Sequence, residues 1–293
     1  MTDLTTPDHL LVRSGLPAQG GRPVRKDEIE LHERGIYIES WLPERRSRRK
    51  PILFVHGELG GSWIWERYLH HFAARGWEGH ALNLRNHFWS QTADPTTLDV
   101  ASYTEDVVAS MDRLGPSVVV VGHGLGGLLV LKAVERAPAS AYVLLAPEPP
   151  RDLRDPARPH VIRDIPDAYG KAAIGWETLP EKLTREHRDL TLADVLRIQH
   201  LMGQKPFESG RMKREVVEGV PVDRSALPDV PRLVIGAGLD MYVPEPDVER
   251  LADWLDATYE PFGAHSHFGL VLGEASYLQV AETLRAFLET NRL

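Results

Sequence analysis

Cysteine is absent from the 293-residue chain, which excludes disulfides, a thiolate nucleophile and thiolate-bound zinc or iron–sulfur clusters. No uninterrupted apolar run approaches membrane-spanning length. Met1 to Asp8 has neither the basic stretch nor the apolar core of a secretory signal, so a cytoplasmic location is expected. An excess of positive charge is also lacking. The formal net charge is −8, with both signs mixed along the chain, and this argues against nucleic acid or an anionic membrane as the partner. One local exception, Arg45-Arg46-Ser47-Arg48-Arg49-Lys50, falls between two expected strands and reads as a solvated hairpin loop. Nucleotide motifs are missing as well. Gly57-Glu58-Leu59-Gly60-Gly61 has no P-loop lysine, and Gly122-His123-Gly124-Leu125-Gly126 lacks the last gap of a dinucleotide fingerprint.

Short apolar runs without polar alternation are present, as expected of strands buried on both faces: Ile52 to Val55, Val118 to Val121, Tyr142 to Leu145 and Leu233 to Ile235. Gly79 to Leu84 is a weaker strand. Tyr259 to Phe262 is expected at an edge, because Pro261 cannot donate to a ladder. Before them, Asp27 to Leu31 and Ile36 to Leu42 alternate around Glu33-Arg34-Gly35 and predict an antiparallel hairpin. Helical spacing fills the gaps over Trp65–Arg75, Ser102–Leu114, Leu125–Arg136, Val248–Leu255 and Tyr277–Thr290. This alternation implies an α/β class with a mostly parallel, doubly wound sheet. The division expected is an N-terminal arm over 1–26, a core over 27–146 and 228–293, and a helical cap inserted at 147–227. In that insertion the alternation stops and Pro, Arg and Asp become frequent, before a helix at Leu192 to Met202.

Four segments carry a resemblance to the alpha/beta-hydrolase fold family, in particular to its cap-bearing esterase, lipase and epoxide-hydrolase-like branch. Phe54-Val55-His56-Gly57-Glu58-Leu59-Gly60 is similar to the family's strand and H-G-x-x-G loop. Leu82-Asn83-Leu84-Arg85-Asn86-His87-Phe88-Trp89-Ser90 is similar to D-x-R-G-H-G-x-S, with Asn83 and Phe88 as departures. Val121-Gly122-His123-Gly124-Leu125-Gly126 resembles the nucleophile elbow G-x-S-x-G, with Gly124 in the serine's place. The last segment pairs Leu233 to Asp240 with Gly263-Ala264-His265-Ser266-His267-Phe268, after the final two strands, where the family carries its acid and histidine.

The resemblance implies that Glu58 and Leu125 supply oxyanion-hole N–H groups. It implies Asp240 as the acid, ahead of Asp229 and Asp247, because Asp240 directly follows its strand and precedes Met241-Tyr242-Val243-Pro244. His267, before Phe268-Gly269-Leu270, fits the family's histidine, with His265 as the second candidate. His123 is expected to point away from the reaction centre, and the Glu58 side chain to face outward. Trp63, Trp65, Phe88 and Trp89 suggest an aromatic-lined pocket for an apolar small molecule. His265, His267 and Asp240 could form a two-histidine carboxylate metal site, but no further cluster supports it. Neither a metal nor another cofactor is expected, and the sequence gives no oligomeric state.

Gly124 removes the attacking hydroxyl and also the strain of a side chain held at positive φ, on the order of 1 to 3 kcal/mol. Three explanations follow. A His267–Asp240 dyad with the oxyanion amides works without a covalent step on a carbonyl compound. Alternatively, the chain is an inactive pseudo-hydrolase that binds a small molecule or protein, or it is a serine esterase carrying an engineered Ser-to-Gly change.

Overall fold

The computed structural model describes residues 24–45, 47–155, 164–204 and 207–293. The expected arm up to residue 23 lies outside the described residues. Residues Val24 to Lys26, also assigned to that arm, instead belong to the first strand. The hairpin forms from β1 (Val24–Leu31) and β2 (Ile36–Pro43), which pair antiparallel from Leu31 opposite Ile36 to Val24 opposite Pro43.

Strand and helix then alternate: β3 (Ile52–Val55), α1 (Glu66–Ala73), β4 (Gly79–Asn83), α2 (Val100–Leu114), β5 (Val119–His123), α3 (Leu125–Val134) and β6 (Ala141–Leu145). Helix α2 shows local control of its ends. The Asp99 side chain accepts the Ser102 N–H at its start, and Gly115, at φ 92°, closes it. After β6 come β7 (Ala168–Tyr169), α4 (Pro180–Glu186), α5 (Leu192–Met202), β8 (Glu208–Ser209) and α6 (Gly210–Glu218). The two short strands pair only with each other. The chain finishes with β9 (Arg232–Ala237), α7 (Glu245–Leu255), β10 (Thr258–Phe262), α8 (Gly269–Leu272) and α9 (Ser276–Thr290).

The eight-stranded sheet runs β1-β2-β4-β3-β5-β6-β9-β10. All pairs from β4 to β10 are parallel, and β2 joins β4 antiparallel. A doubly wound, mostly parallel α/β sheet is therefore what forms, with the proline-bearing strand at its edge.

Alternate side chains of the central strands feed two cores. Leu53, Val55, Val118, Val120 and Leu144 pack with residues of α2, α3 and α7. On the opposite face Ile52, Phe54, Val121, Val143 and Leu145 join residues of α1 and α9. Tyr169, Trp176, Val195, Ile198 and Met202, from the stretch between β6 and β9, belong to this second core as well. That stretch is thus packed onto the body through apolar burial, the largest favourable contribution to such contacts. The loops leaving the carboxyl ends of β3, β5, β6, β9 and β10 gather at one edge, where open α/β sheets place their ligands.

Candidate active site

The turn after β5 is sharp, and packing dictates its glycines. A Cβ on Gly122 would run into the Gly126 carbonyl, and one on Gly126 into the carbonyl oxygens of Val55 and His56. Helix α3 can therefore start directly against β3 and β5 only with hydrogen at those two positions. Gly124 between them has φ 57° and ψ −122°. Its N–H donates to the Leu145 carbonyl at 3.0 Å, and its own carbonyl accepts from Gly127 N–H at 3.0 Å and Glu148 N–H at 3.1 Å, so the turn is tied at both ends.

His267 faces this turn. Its Nδ1 lies 2.7 Å from Asp240 Oδ2, while Asp240 Oδ1 accepts the N–H groups of Tyr242 at 2.7 Å and Val243 at 2.9 Å. The carboxylate is fully buried and the imidazole nearly so. Because a carboxylate can only accept, Nδ1 carries a proton, and in the neutral ring Nε2 presents a lone pair. A Cβ built on Gly124 would sit 3.0 Å from that Nε2, tight enough to push the ring by a few tenths of an ångström. The structure thus brings Asp240, His267 and Gly124 together.

The other acid and histidine candidates lie elsewhere. His265 Nε2 pairs with the Ser276 carbonyl at 3.2 Å and its ring packs on Phe262. Asp229 is exposed and pairs with Arg232, and Asp247 with Arg250 in the first turn of α7.

A cavity of about 60 Å³ opens in front of His267, with Gly57, Glu58, Gly124 and Leu125 on its wall. Among the described residues no hydrogen-bond partner is recorded for the Glu58 N–H or for the Leu125 N–H at the start of α3. Of the four aromatics expected at the pocket, Trp63 lines it. Trp65 does not: it is wholly buried against Phe54 and Tyr68, because its place between the H-G-x-x-G loop and α1 faces the core. Phe88 and Trp89 also lie off the cavity wall, Phe88 packed on the core and Trp89 67% exposed. Their loop follows β4, one strand further from the elbow.

Two further expectations fail. His123 does not turn away: it lines the cavity, its ring centroid is 4.2 Å from that of His267, and its Nε2–H donates to the His267 carbonyl at 3.0 Å. Burial, reinforced by His267, pushes its pKa far down, so it packs there as a neutral ring. Glu58 does not face outward either. Its carboxylate lies 2.5 Å from Lys213 Nζ on α6 and accepts the Tyr169 hydroxyl at 2.6 Å. Burial would lower the Lys213 pKa, but the Glu58 and Glu148 carboxylates outweigh it and hold the ammonium above its ordinary value.

Behind this wall the loop carrying Glu58 is fixed by Glu208. That carboxylate accepts Leu59 N–H at 3.0 Å and the Tyr103 hydroxyl at 2.6 Å, and pairs with His87 Nε2 at 2.9 Å. Burial acts to raise Glu208, yet His87 and these donors bring it down to about 2. Burial likewise opposes charge on His87, and Glu208 wins, raising it. Tyr169, Lys213, Glu148, Tyr242 and Glu208 were not singled out from sequence. Tyr242 alone had a local signal, two residues beyond Asp240.

Residues 52–283 match the model of the alpha/beta hydrolase family. The chain belongs to that family. Over 99 residues it is 34% identical to Esterase PIR7B of Oryza sativa subsp. japonica, a match covering 31% of this chain and 35% of the rice protein. Over 206 residues it is 24% identical to the Pheophorbidase of Raphanus sativus, covering 68% and 72%. In fold it is similar to the thermophilic esterase from Thermogutta terrifontis, with a TM-score of 0.65 at 16% identity, covering 92% of this chain and 100% of that one. The chain spans about a third of the rice esterase's length, and its likeness within the family is esterase-like. Among the described residues no group of three His, Cys, Asp or Glu is placed to hold a metal, and no helix is long and apolar enough to cross a membrane.

Proposed function

We propose that this chain is an alpha/beta-hydrolase-fold enzyme that works without a covalent nucleophile, using His267 and Asp240 on an apolar carbonyl-containing small molecule. The observation that carries the reading is the 3.0 Å between His267 Nε2 and the place a Gly124 Cβ would occupy. Where a serine hydroxyl would lie, glycine leaves room for a water or a substrate atom within reach of that lone pair. In the hydrolytic case a water proton passes to Nε2 as the water oxygen bonds to the carbonyl carbon. The displaced C=O electron pair resides on oxygen, facing the Glu58 and Leu125 amides, each worth roughly 3 to 4 kcal/mol as a fixed donor. Collapse then breaks the bond to the leaving alkoxide, which takes the proton from Nε2. An abstracted C–H proton would use the same groups. The described part of the insertion at 147–227 acts as a cap that narrows the cavity through Glu148, Ile174, Met202 and Lys213, and the crowding a Cβ would cause at 124 supports glycine as the residue to which the site is fitted.

The test is hydrolysis of short-chain aryl esters together with fluorophosphonate labelling, for the wild type, Gly124→Ser and His267→Ala. The wild type should turn over slowly without being labelled, and His267→Ala should lower the rate about a hundred- to ten-thousand-fold. If His267→Ala leaves turnover unchanged, the dyad reading fails. Covalent labelling and a large gain in Gly124→Ser alone indicate a serine esterase missing its hydroxyl. No turnover by any form, with ligand binding retained, indicates a binding protein.

A further inference from the structure

The cavity wall is split by chemistry. Trp63, Ile64, Ile174, Met202, Tyr242 and Phe268 supply its apolar lining, while Glu58, Glu148 and Lys213 cluster as its charged part. On the charged side Lys213 is committed: its ammonium lies 2.5 Å from Glu58 and 3.8 Å from Glu148. The second separation is too long for a hydrogen bond. Glu58 is further satisfied by Tyr169. One ammonium thus serves two carboxylates, and Glu148, paired with it only at 3.8 Å, accepts no hydrogen bond among the described residues.

Its position is fixed. The Glu148 N–H donates to the Gly124 carbonyl at 3.1 Å, so the side chain begins beside the elbow, and it is only 15% exposed. The carboxylate lines the cavity and meets Lys213 only at 3.8 Å, so an occupant that brings a donor to it gains a charge-assisted hydrogen bond. The start of α3 at Leu125 makes the opposite demand, since free N–H groups and the positive end of the helix suit a carbonyl oxygen. The cavity is therefore polarised, with an acceptor wanted at Leu125 and a donor at Glu148.

We propose that Glu148 is the polar anchor of the ligand, and that the cavity selects an apolar body carrying an N–H or O–H donor, an ammonium above all, and turns away carboxylates. This rests on the reading of the cavity as the ligand site and names the class of molecule it takes. It does not require His267 to turn anything over.

Binding is therefore measured instead of turnover, by calorimetry and thermal melting of the full chain at neutral pH with benzylamine, benzyl alcohol and benzoate. Benzylamine, protonated there, should bind best, benzyl alcohol more weakly and benzoate least. Glu148→Gln should weaken benzylamine about tenfold while changing benzyl alcohol little, because the amide oxygen still accepts. The ranking within the wild type is decisive even if the variant is unstable. Benzoate binding as tightly as benzylamine overturns the proposal, as does an unaffected benzylamine affinity in a folded Glu148→Gln or a failure of all three to bind. Glu148→Gln is read on binding and His267→Ala on turnover, so loss of the anchor and loss of the dyad are distinguishable.

Discussion

The two sides of the cavity are built in different ways. On one side the elbow at Gly124 follows β5 directly and is set by backbone contacts too close for any side chain at Gly122 and Gly126, with Asp240 and His267 held in the loops beyond β9 and β10 by hydrogen bonds. On the facing side, Glu58 and its loop are held by Lys213, Tyr169 and Glu208, reached across 155, 111 and 149 positions of sequence, through charge and hydrogen bonds. The elbow is thus defended by sterics and the Glu58 loop by ionisation. Substitutions should therefore fail in different ways on the two sides.

The largest effect is expected from Gly126→Ala. Its methyl meets two backbone carbonyls that have no room to yield, and we expect a loss of about 3 to 5 kcal/mol or no folding at all. Urea denaturation should show this loss equally at pH 5 and pH 8; a cost under about 1 kcal/mol, or one that changes with pH, breaks the steric account. Glu208→Gln should come next, at about 3 kcal/mol, because it strands a buried His87 without its counter-charge. Here the loss should depend on pH. The Glu208 carboxylate, at about 2 folded against about 4.3 unfolded, contributes stability above pH 4.3 that is lost as pH falls through about 2. His87, raised, contributes below about pH 6.5 and loses that contribution as pH rises through its folded pKa.

The smallest and broadest effect concerns the wild type. Burial pushes His56 down to about 3 and His80 down to about 4, so between these values and about 6.5 the unfolded chain binds protons that the folded chain refuses. The urea midpoint should decline from pH 6.5 toward pH 4 on their account. A second decline, toward pH 2, should be shallower in Glu208→Gln. His71, at about 4, and His123, pushed far down, add to this decline, so a flat midpoint between pH 6.5 and 4 would show the buried rings to be protonated without penalty.

The difference between the sides also sets how much could be read from sequence. Doubly buried strands are short apolar runs, so Ile52–Val55 and the four valines at 118–121 announced themselves, and α5 runs over the expected Leu192–Met202. Asp240, His267 and Gly124 were legible for a topological reason. A residue directly after a strand of a parallel sheet must emerge at the carboxyl edge, so three such residues are neighbours before any side chain is placed. The direction of the Glu58 side chain had no such local cause, because its partners come from β7 and α6, and no spacing relates them. His123 was misread similarly: its neighbour is His267, 144 positions away. Trp65 and Trp89 show the limit of composition, since large apolar rings serve core and surface as readily as a pocket.

Asp240 is saturated. Two amides and one imidazole N–H occupy its oxygens in a fully buried position. The ring it holds has a single open nitrogen, and that nitrogen looks into the cavity. A hydrogen ion captured there leaves through the cavity, to its occupant or to the solvent that reaches the partly exposed ring.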